Sequence, residues 1–153
     1  MLLQNDLETI KKETKNFFDK MTFNVEVEIP SPKEDTVFIN IKTDEPQILI
    51  GEGGQTLNEI QHLLKVILRK KITDSFFIDV DIADYKKKKN AYLKELARSA
   101  ADEVSLSKKE KTLPLMSAYE RRIVHMELAD RSDVITESIG EESGRKLVVK
   151  PRP

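Results

Sequence analysis

The first part of the chain switches between helical and strand periodicity. Apolar positions recur every three or four residues over residues 3–21, which predicts an amphipathic helix. Apolar residues then alternate with polar ones over residues 25–29 and 37–41, which predicts two strands joined by a turn at residues 31–35. The helical stripe consists of Leu3, Leu7, Ile10, Thr14, Phe17 and Met21.

A glycine-rich turn is predicted to separate a short helix from a long one. Asp44 suits the cap of the short helix, Pro46 suits its first turn, and the segment from Gly51 to Gly54 ends it. The long helix is predicted from the stripe Leu57, Ile60, Leu63, Leu64, Ile67 and Leu68. A third strand follows over residues 76–82, with Phe76, Ile78, Val80 and Ile82 facing inward.

The second part of the chain contains two predicted helices and a hairpin. The stripe Leu93, Leu96, Ala100 and Val104 predicts a helix after the lysine run at 86–89, and residues 112–116 are predicted to be extended. Ser117 and Glu120 have the spacing of a capping box, which predicts a helix over residues 118–130. Residues 134–139 and 146–149 predict two strands joined through residues 140–144. The pattern predicts an α+β protein with modules at 1–84 and 85–153.

Composition narrows the classes of protein that remain. The 153 residues include no cysteine, which excludes disulfides, thiolate nucleophiles and cysteine-based zinc sites. No apolar run approaches the length of a membrane span, so no membrane insertion is expected. The first residues carry acids where a signal peptide has a basic start and an apolar middle. A cytoplasmic location is therefore predicted.

Charge is distributed unequally between the two modules. Residues 1–84 carry 10 basic and 16 acidic side chains, a net charge of −6, whereas residues 85–153 carry 16 basic and 11 acidic ones, a net charge of +5. An anionic partner is therefore expected to interact mainly with the second module.

The turn Gly51-Glu52-Gly53-Gly54 is the first candidate binding element. Its glycines allow a tight turn, and the following helix presents free N–H groups and a positive dipole end that favour phosphate. It matches neither a dinucleotide fingerprint nor a Walker A loop. Taken alone, it is equally well explained as a connection between two helices without a ligand.

A second candidate lies on the helix that follows Ser117. Arg121 and His125 are four residues apart, so their side chains share one helical face, and Arg122 falls within an arc of roughly 100° with them. A guanidinium beside an imidazole offers a forked phosphate donor and a planar stacking surface. Arg145 and Lys146 begin the basic strand that ends the hairpin. The pair alone is also consistent with a solvated helix face.

The glycine turn and the order α-β-β-α-α-β resemble a type II KH domain covering residues 1–84. The resemblance implies that the Gly51–Gly54 turn clamps about four nucleotides of single-stranded RNA backbone, with bases in an adjacent groove near Ile50, Gln55 and Leu57. The middle positions of the turn are often basic in such domains, whereas here they are Glu52 and Gly53.

Residues 90–153 resemble the R-three-H domain, a small α/β module that binds single-stranded nucleic acid. The resemblance makes Arg121 and His125 the signature pair, with Arg122, Arg145 and Lys146 as auxiliary contacts. The order of the two domains is similar to that of the bacterial Jag family of RNA-binding proteins. This family implies post-transcriptional regulation linked to cell-envelope growth and a small single-domain KH protein as a partner. Many members carry a further N-terminal domain, whereas this sequence begins at the KH helix.

The remaining chemical candidates are weaker. Asp79, Asp81 and Asp84 lie where strand alternation places surface acids, and His62 lies opposite the apolar stripe of its helix. The lysines at 86–89 suit either a solvated helix start or an RNA-backbone patch. No catalytic triad, metal cluster or cofactor motif is found, and a hidden nuclease or NTPase is disfavoured.

The sequence therefore predicts a non-catalytic protein that binds single-stranded RNA, with single-stranded DNA left open as a ligand. The alternative is an adaptor whose KH module binds a protein partner, which the acidic Glu52 favours.

Overall fold

A computed structural model describes residues 2–153, and the chain divides after Lys86 into two compact units. The first unit has the predicted α-β-β-α-α-β order. Its elements are α1 (Gln4–Lys20), β1 (Val25–Glu28), β2 (Thr36–Thr43), α2 (Pro46–Ile50) and, after a 3₁₀ turn at Glu52–Gly54, α3 (Gln55–Lys71) and β3 (Phe77–Ile82).

The sheet of the first unit has the order β1-β2-β3. β1 pairs antiparallel with β2, whereas β2 pairs parallel with β3, with Ile39 opposite Val80. A parallel pair needs a crossover connection, and α2, the glycine turn and α3 supply it. One face of the sheet packs against the helices because its inward residues alternate with polar ones.

Two helical stripes differ from the prediction at their margins. In α1 the buried positions are Ile10, Thr14 and Phe18, whereas Phe17 is only partly buried and Leu3 is 67% exposed. The rings of Phe17 and Phe18 meet edge to face at 5.3 Å. Because a straight helix rotates by 100° per residue, only a narrow arc of α1 faces the core.

The stripe of α3 is also narrower than predicted. Leu57, Ile60, Leu64 and Leu68 are buried, Ile67 is partly buried, and Leu63 is 50% exposed. The sheet covers only one side of this helix, so an apolar residue at the edge of the stripe stays in solvent. Phe76, Ile78, Val80 and Ile82 are buried as predicted, and His62 is exposed as predicted.

The second unit packs two helices against a small antiparallel sheet. Its elements are α4 (Tyr85–Ser107, whose first two residues belong to the first unit), β4 (Lys111–Thr112), α5 (Ala118–Leu128), β5 (Val134–Ile139), a 3₁₀ turn at Glu142–Gly144, and β6 (Lys146–Pro151). The strand order is β4-β6-β5. The predicted hairpin is confirmed, with Thr136 opposite Val149.

The sequence makes three predictions about where helices start, of which one is confirmed and two are wrong. Ser117 caps α5 and exchanges the expected bonds with Glu120. The cap of α2 is Glu45, not Asp44, and its side chain makes no capping bond. The lysine run does not precede α4 but lies within its first turns, because the helix already begins at Tyr85. The observed elements confirm the α+β class.

The core of the second unit is formed mostly by small and medium-sized residues of α4 and the sheet. Ala97 and Ala101 are buried in α4, whereas the predicted core residue Leu96 is only partly buried. Within residues 2–153, no helix is long and apolar enough to cross a membrane.

Candidate nucleic-acid interface

The glycine turn of the first unit adopts a backbone that ordinary residues rarely take. The φ angles of Gly51, Gly53 and Gly54 are +72°, +60° and +81°. The Gly51 N–H donates to the Gln47 carbonyl, and the Gly54 N–H donates to the Gly51 carbonyl. Glycine is the residue type with free access to this region, so the sequence of the turn follows from its shape.

Two of these glycines are also required by their neighbours. A Cβ added to Gly51 would lie 2.2 Å from Thr56 Oγ1, and one added to Gly54 would lie 2.8 Å from Cε1 of Tyr85. A Cβ on Gly53 would meet nothing within 4 Å. The turn is therefore closed on the protein side and open at its tip.

The exposed tip of the turn presents hydrogen-bond donors and one carboxylate. Within residues 2–153, the backbone N–H groups of Glu52 and Gly53 donate to no other group, and the Glu52 carboxylate forms no ion pair. Free N–H groups in a tight turn favour an anion, whereas a carboxylate opposes one. The net preference of this tip is set by the balance between the two.

The predicted residues around the turn occupy different environments. Gln55 is exposed and Ile50 is partly buried. Leu57, which was predicted to lie near the groove, has no exposed surface and belongs to the core, so its side chain can support the turn but presents no surface to a ligand. A shallow depression of about 640 Å³ lies along the outer face of α3 next to the turn. It is lined by Gly53, Gln55, Asn58, Glu59, His62 and Leu63.

The signature arginine of the second unit, Arg121, donates hydrogen bonds to two backbone carbonyls near the start of α5. Its Nη1 donates to the Met116 carbonyl at 2.7 Å and to the Arg145 carbonyl at 3.4 Å. These bonds connect the N-terminal end of α5 to the residue that precedes β6. Since both use one nitrogen of Arg121, the Nε and Nη2 groups are left as donors for a ligand.

The signature histidine connects α5 to the neighbouring strand. Nδ1 of His125 forms a hydrogen bond with Thr136 Oγ1 of β5. His125 is exposed, and its Nε2 forms no hydrogen bond within residues 2–153. Arg121 and His125 therefore contact opposite arms of the hairpin, and together they fix the orientation of α5.

The three auxiliary cations lie on exposed surface. Arg145 Nε donates to Ser138 Oγ at 2.7 Å, which holds its side chain along the hairpin. The side chains of Arg122 and Lys146 form no hydrogen bond or ion pair within the part of the chain that the structure describes. On α5, Tyr119 is 64% exposed, three residues before Arg122. Cations beside an exposed aromatic ring suit phosphate contact and base stacking.

Other basic side chains form ion pairs or hydrogen bonds within the protein. Lys150 pairs with Glu137 at 2.5 Å, and this bond raises the pKa of the lysine above its usual value. Lys89 lies 3.5 Å from Glu120 and over the ring of Tyr92. Lys86 donates to Asp79 at 2.6 Å and to Gln61 at 2.7 Å. The lysine run is therefore not a uniform set of free cations.

A bidentate ion pair supports the loop between α5 and β5. Arg131 donates through Nε and Nη2 to both carboxylate oxygens of Asp133, at 2.9 and 2.6 Å, and through Nη1 to Asp102 at 2.7 Å. The bond from Arg131 lowers the pKa of the Asp133 carboxyl well below its usual value. This cluster is structural, since it joins α4 to the loop.

Several contacts of the site carry no local sequence signal. Tyr85 at Gly54, Thr136 at His125 and Ser138 at Arg145 were not among the predicted residues. Each lies on another element than its partner, so helical or strand spacing does not reveal it. Over residues 2–153, no group of three or more His, Cys, Asp or Glu side chains is placed to hold a metal ion.

Comparison with known protein families also divides the chain into two parts, each of which matches a different family. Residues 7–91 match the KH domain family, and residues 91–151 match the R-three-H domain family. The fold and the glycine turn define a type II KH protein with an R-three-H domain after it. The chain belongs to the KH domain family, and its domain order is that of the Jag-like proteins.

Curated relatives from several bacteria share the name "RNA-binding protein KhpB". The protein from Clostridium symbiosum is 33% identical over 133 residues, which cover 86% of this chain and 60% of the relative. The protein from Lactiplantibacillus plantarum is 35% identical over 74% of this chain and 35% of its own length. The protein from Bacillus subtilis is 34% identical over 74% of this chain and 56% of its own length. The matched region thus spans 60% or less of each of these relatives.

Proposed function

We propose that this chain binds single-stranded RNA without catalysing a reaction. The observation that carries the proposal is the exposed cationic surface of the second unit, where Arg122 and Lys146 are unpaired beside the anchored Arg121, His125 and Arg145. The net charge of +5 on residues 85–153 gives this surface the sign that a phosphate backbone requires. The names of the relatives support the same activity.

The KH turn is proposed as a second RNA contact. Its N–H groups at Glu52 and Gly53 grip the sugar-phosphate backbone, between Gly51 and Gly54. Ile50 and Gln55 lie beside the strand. Leu57 is a buried core residue, and its proposed role is to support the turn from the protein side. We assign these roles to the two modules predicted at residues 1–84 and 85–153, with the two residues after 84 placed in the first unit.

The biological role proposed is that of a Jag-type post-transcriptional regulator in the cytoplasm, linked to cell-envelope growth. The domain order and the similarity to the KhpB proteins support this role. Recognition would rest on backbone and stacking contacts, which single-stranded DNA also offers in part. The competition between RNA and DNA is therefore part of the test.

The test is a fluorescence anisotropy titration of short single-stranded RNA at several salt concentrations, with a DNA oligomer of the same sequence as competitor. Binding is expected to weaken with salt, with a slope of about −0.7 for each phosphate neutralised. RNA is expected to resist displacement by DNA. Absence of binding at low salt would contradict the proposal.

The outer face of α3 favours an additional protein partner. Leu63 and Val66 lie three residues apart on this helix and are 50% and 44% exposed. Exposed apolar residues at this spacing suit a docked helix, and a small single-domain KH protein is proposed as the partner. Replacing both with serine should abolish complex formation with such a protein while RNA affinity is kept. If RNA affinity is lost while complex formation is unchanged, this face would be assigned to RNA and not to a protein partner.

A further inference from the structure

Tyr85 stands directly against the KH turn. A Cβ on Gly54 would lie 2.8 Å from Cε1, 3.5 Å from Cζ and 3.4 Å from the hydroxyl oxygen of Tyr85. The ring therefore occupies the space that a larger residue at position 54 would need. It also packs against the hydrophobic core of the first unit, so its position relative to the turn is fixed by contacts on two sides.

The chain before Tyr85 is bent into a strained connection. Ala83 and Asp84 have φ angles of +51° and +56°, which non-glycine residues rarely adopt in succession. The Ala83 N–H donates to the Ile41 carbonyl at 2.9 Å, which holds this bend against β2. The bend turns the chain from β3 into α4 so that the first residue of the helix faces Gly54.

Residues on the other side of Tyr85 are held by hydrogen bonds to β3 and α3. Oδ1 of Asp81 accepts bonds from the backbone N–H groups of Ile82 and Lys86, both at 2.9 Å. The Lys86 ammonium donates to Asp79 and to Gln61, and Gln61 also accepts from the Val80 N–H. Tyr85 is thus fixed from both neighbours, which is the preorganisation that a contact residue needs.

The hydroxyl group of Tyr85 is unused. It forms no hydrogen bond within residues 2–153. The one buried side-chain polar atom without a partner in this range is Thr14 Oγ1, so the Tyr85 hydroxyl reaches solvent. A phenol that is held on two sides, reaches solvent and lies beside Gly54 of the turn is an additional donor for a ligand there.

We infer that Tyr85 is a nucleic-acid contact of the KH turn, whose ring supports Gly54 and whose hydroxyl donates to a phosphate oxygen of the bound strand. The inference rests on the proposed function, since it names a further residue of the same site. The tip carries no cation, and the Glu52 carboxylate repels phosphate. Neutral donors must therefore hold the strand at this turn.

The first test compares Tyr85→Phe with the matched control Tyr92→Phe, which removes a hydroxyl from a tyrosine that is 58% exposed on the same helix. Tyr85→Phe keeps the ring against Gly54, so the fold is expected to be retained. RNA affinity should fall about three- to tenfold for Tyr85→Phe and stay unchanged for Tyr92→Phe. Because a neutral donor releases no counterion, the slope of affinity against salt should not change.

Different outcomes separate this inference from the proposed function. If the wild type binds RNA and Tyr85→Phe binds equally well, Tyr85 is not a contact and the inference is overturned, while the function stands. If the wild type does not bind RNA, both are overturned. A loss confined to RNA, with DNA affinity unchanged, would assign the hydroxyl to the ribose 2′-OH and overturn the phosphate assignment.

A second readout reports the contact without relying on affinity. The chain has three tyrosines, so each ring signal in an NMR spectrum is assignable by its phenylalanine variant. Addition of a short single-stranded RNA should shift the ring signals of Tyr85 and leave those of Tyr92 in place. Unshifted Tyr85 signals at saturating RNA would overturn the inference.

Discussion

The two candidate interfaces of this protein present different chemistry to a ligand. The R-three-H surface uses side-chain cations held by the fold, such as Arg121 on the Met116 carbonyl. The KH turn uses backbone N–H groups between glycines and carries an acid, Glu52, at its tip. We expect side-chain cations to attract phosphate over a long range and in a salt-dependent way, whereas hydrogen bonds from the backbone of the turn depend on its shape.

The largest expected effect comes from removing the unpaired cations of the R-three-H surface. Arg122→Ala combined with Lys146→Ala should weaken RNA binding about tenfold and reduce the salt slope by about 1.4, because two phosphate contacts are lost. Anisotropy titrations at several salt concentrations measure both values. The control, Lys108→Ala with Lys109→Ala, removes two exposed lysines of the same unit. Equal losses in the two variants would show that only net charge matters.

Reversing the charge at the tip of the KH turn should strengthen RNA binding, whereas removing the cations weakens it. A carboxylate about 4 Å from a phosphate costs on the order of 1 kcal/mol, so Glu52→Lys should tighten RNA binding roughly five- to tenfold. Glu8→Lys makes the same change of charge on the exposed face of α1 and is the matched control. If both variants tighten binding equally, the turn is not in contact with phosphate.

A smaller effect concerns the stability of the turn itself. Gly53→Ala introduces a side chain at positive φ in open space and should cost about 1 kcal/mol of unfolding free energy. Gly54→Ala meets the same backbone problem and also the ring of Tyr85 at 2.8 Å, so it should cost about 1 kcal/mol more. Denaturant unfolding of both variants gives the difference. Equal costs would mean that Tyr85 yields without resistance.

The smallest expected effect is on the acid stability of the second unit. The pKa of Asp133 is lowered by Arg131 in the folded state, so its contribution is complete above the unfolded value of about 3.9 and is lost as the pH falls below it. Asp133→Asn should therefore lower the melting temperature at neutral pH, and the difference from wild type should shrink toward pH 3. Asp130→Asn, an exposed acid just after α5, serves as the control. A difference that is constant with pH would contradict the role of the ion pair.

The sequence predicted the features that depend on local spacing. The α-β-β-α-α-β order, the capping box at Ser117 and the glycine turn all follow from residues within a few positions of one another. The same reasoning extended the apolar stripe of α3 to Leu63, because the spacing cannot reveal how much of the helix the sheet covers. It also named Leu57 among the residues near a groove, and the spacing does not reveal that this side chain belongs wholly to the core.

The features that were not predicted depend on contacts between distant segments. Tyr85 reaches Gly54 because of the bend at Ala83 and Asp84, and no local signal marks two successive left-handed residues of these types. The short strand β4 exists because β6 pairs with it, since a two-residue strand has no periodicity of its own. The anchoring of the signature arginine and histidine likewise depends on partners in the hairpin, far from α5 along the chain.

We propose that the R-three-H surface supplies the electrostatic part of RNA binding. Its most direct test is the salt dependence of RNA affinity in the wild type and in a variant that combines Arg121→Ala with His125→Ala, after circular dichroism has shown that the variant is folded. We expect weaker binding and a flatter slope of affinity against salt in the variant. An unchanged affinity and an unchanged slope would show that this surface does not carry the electrostatic part of binding.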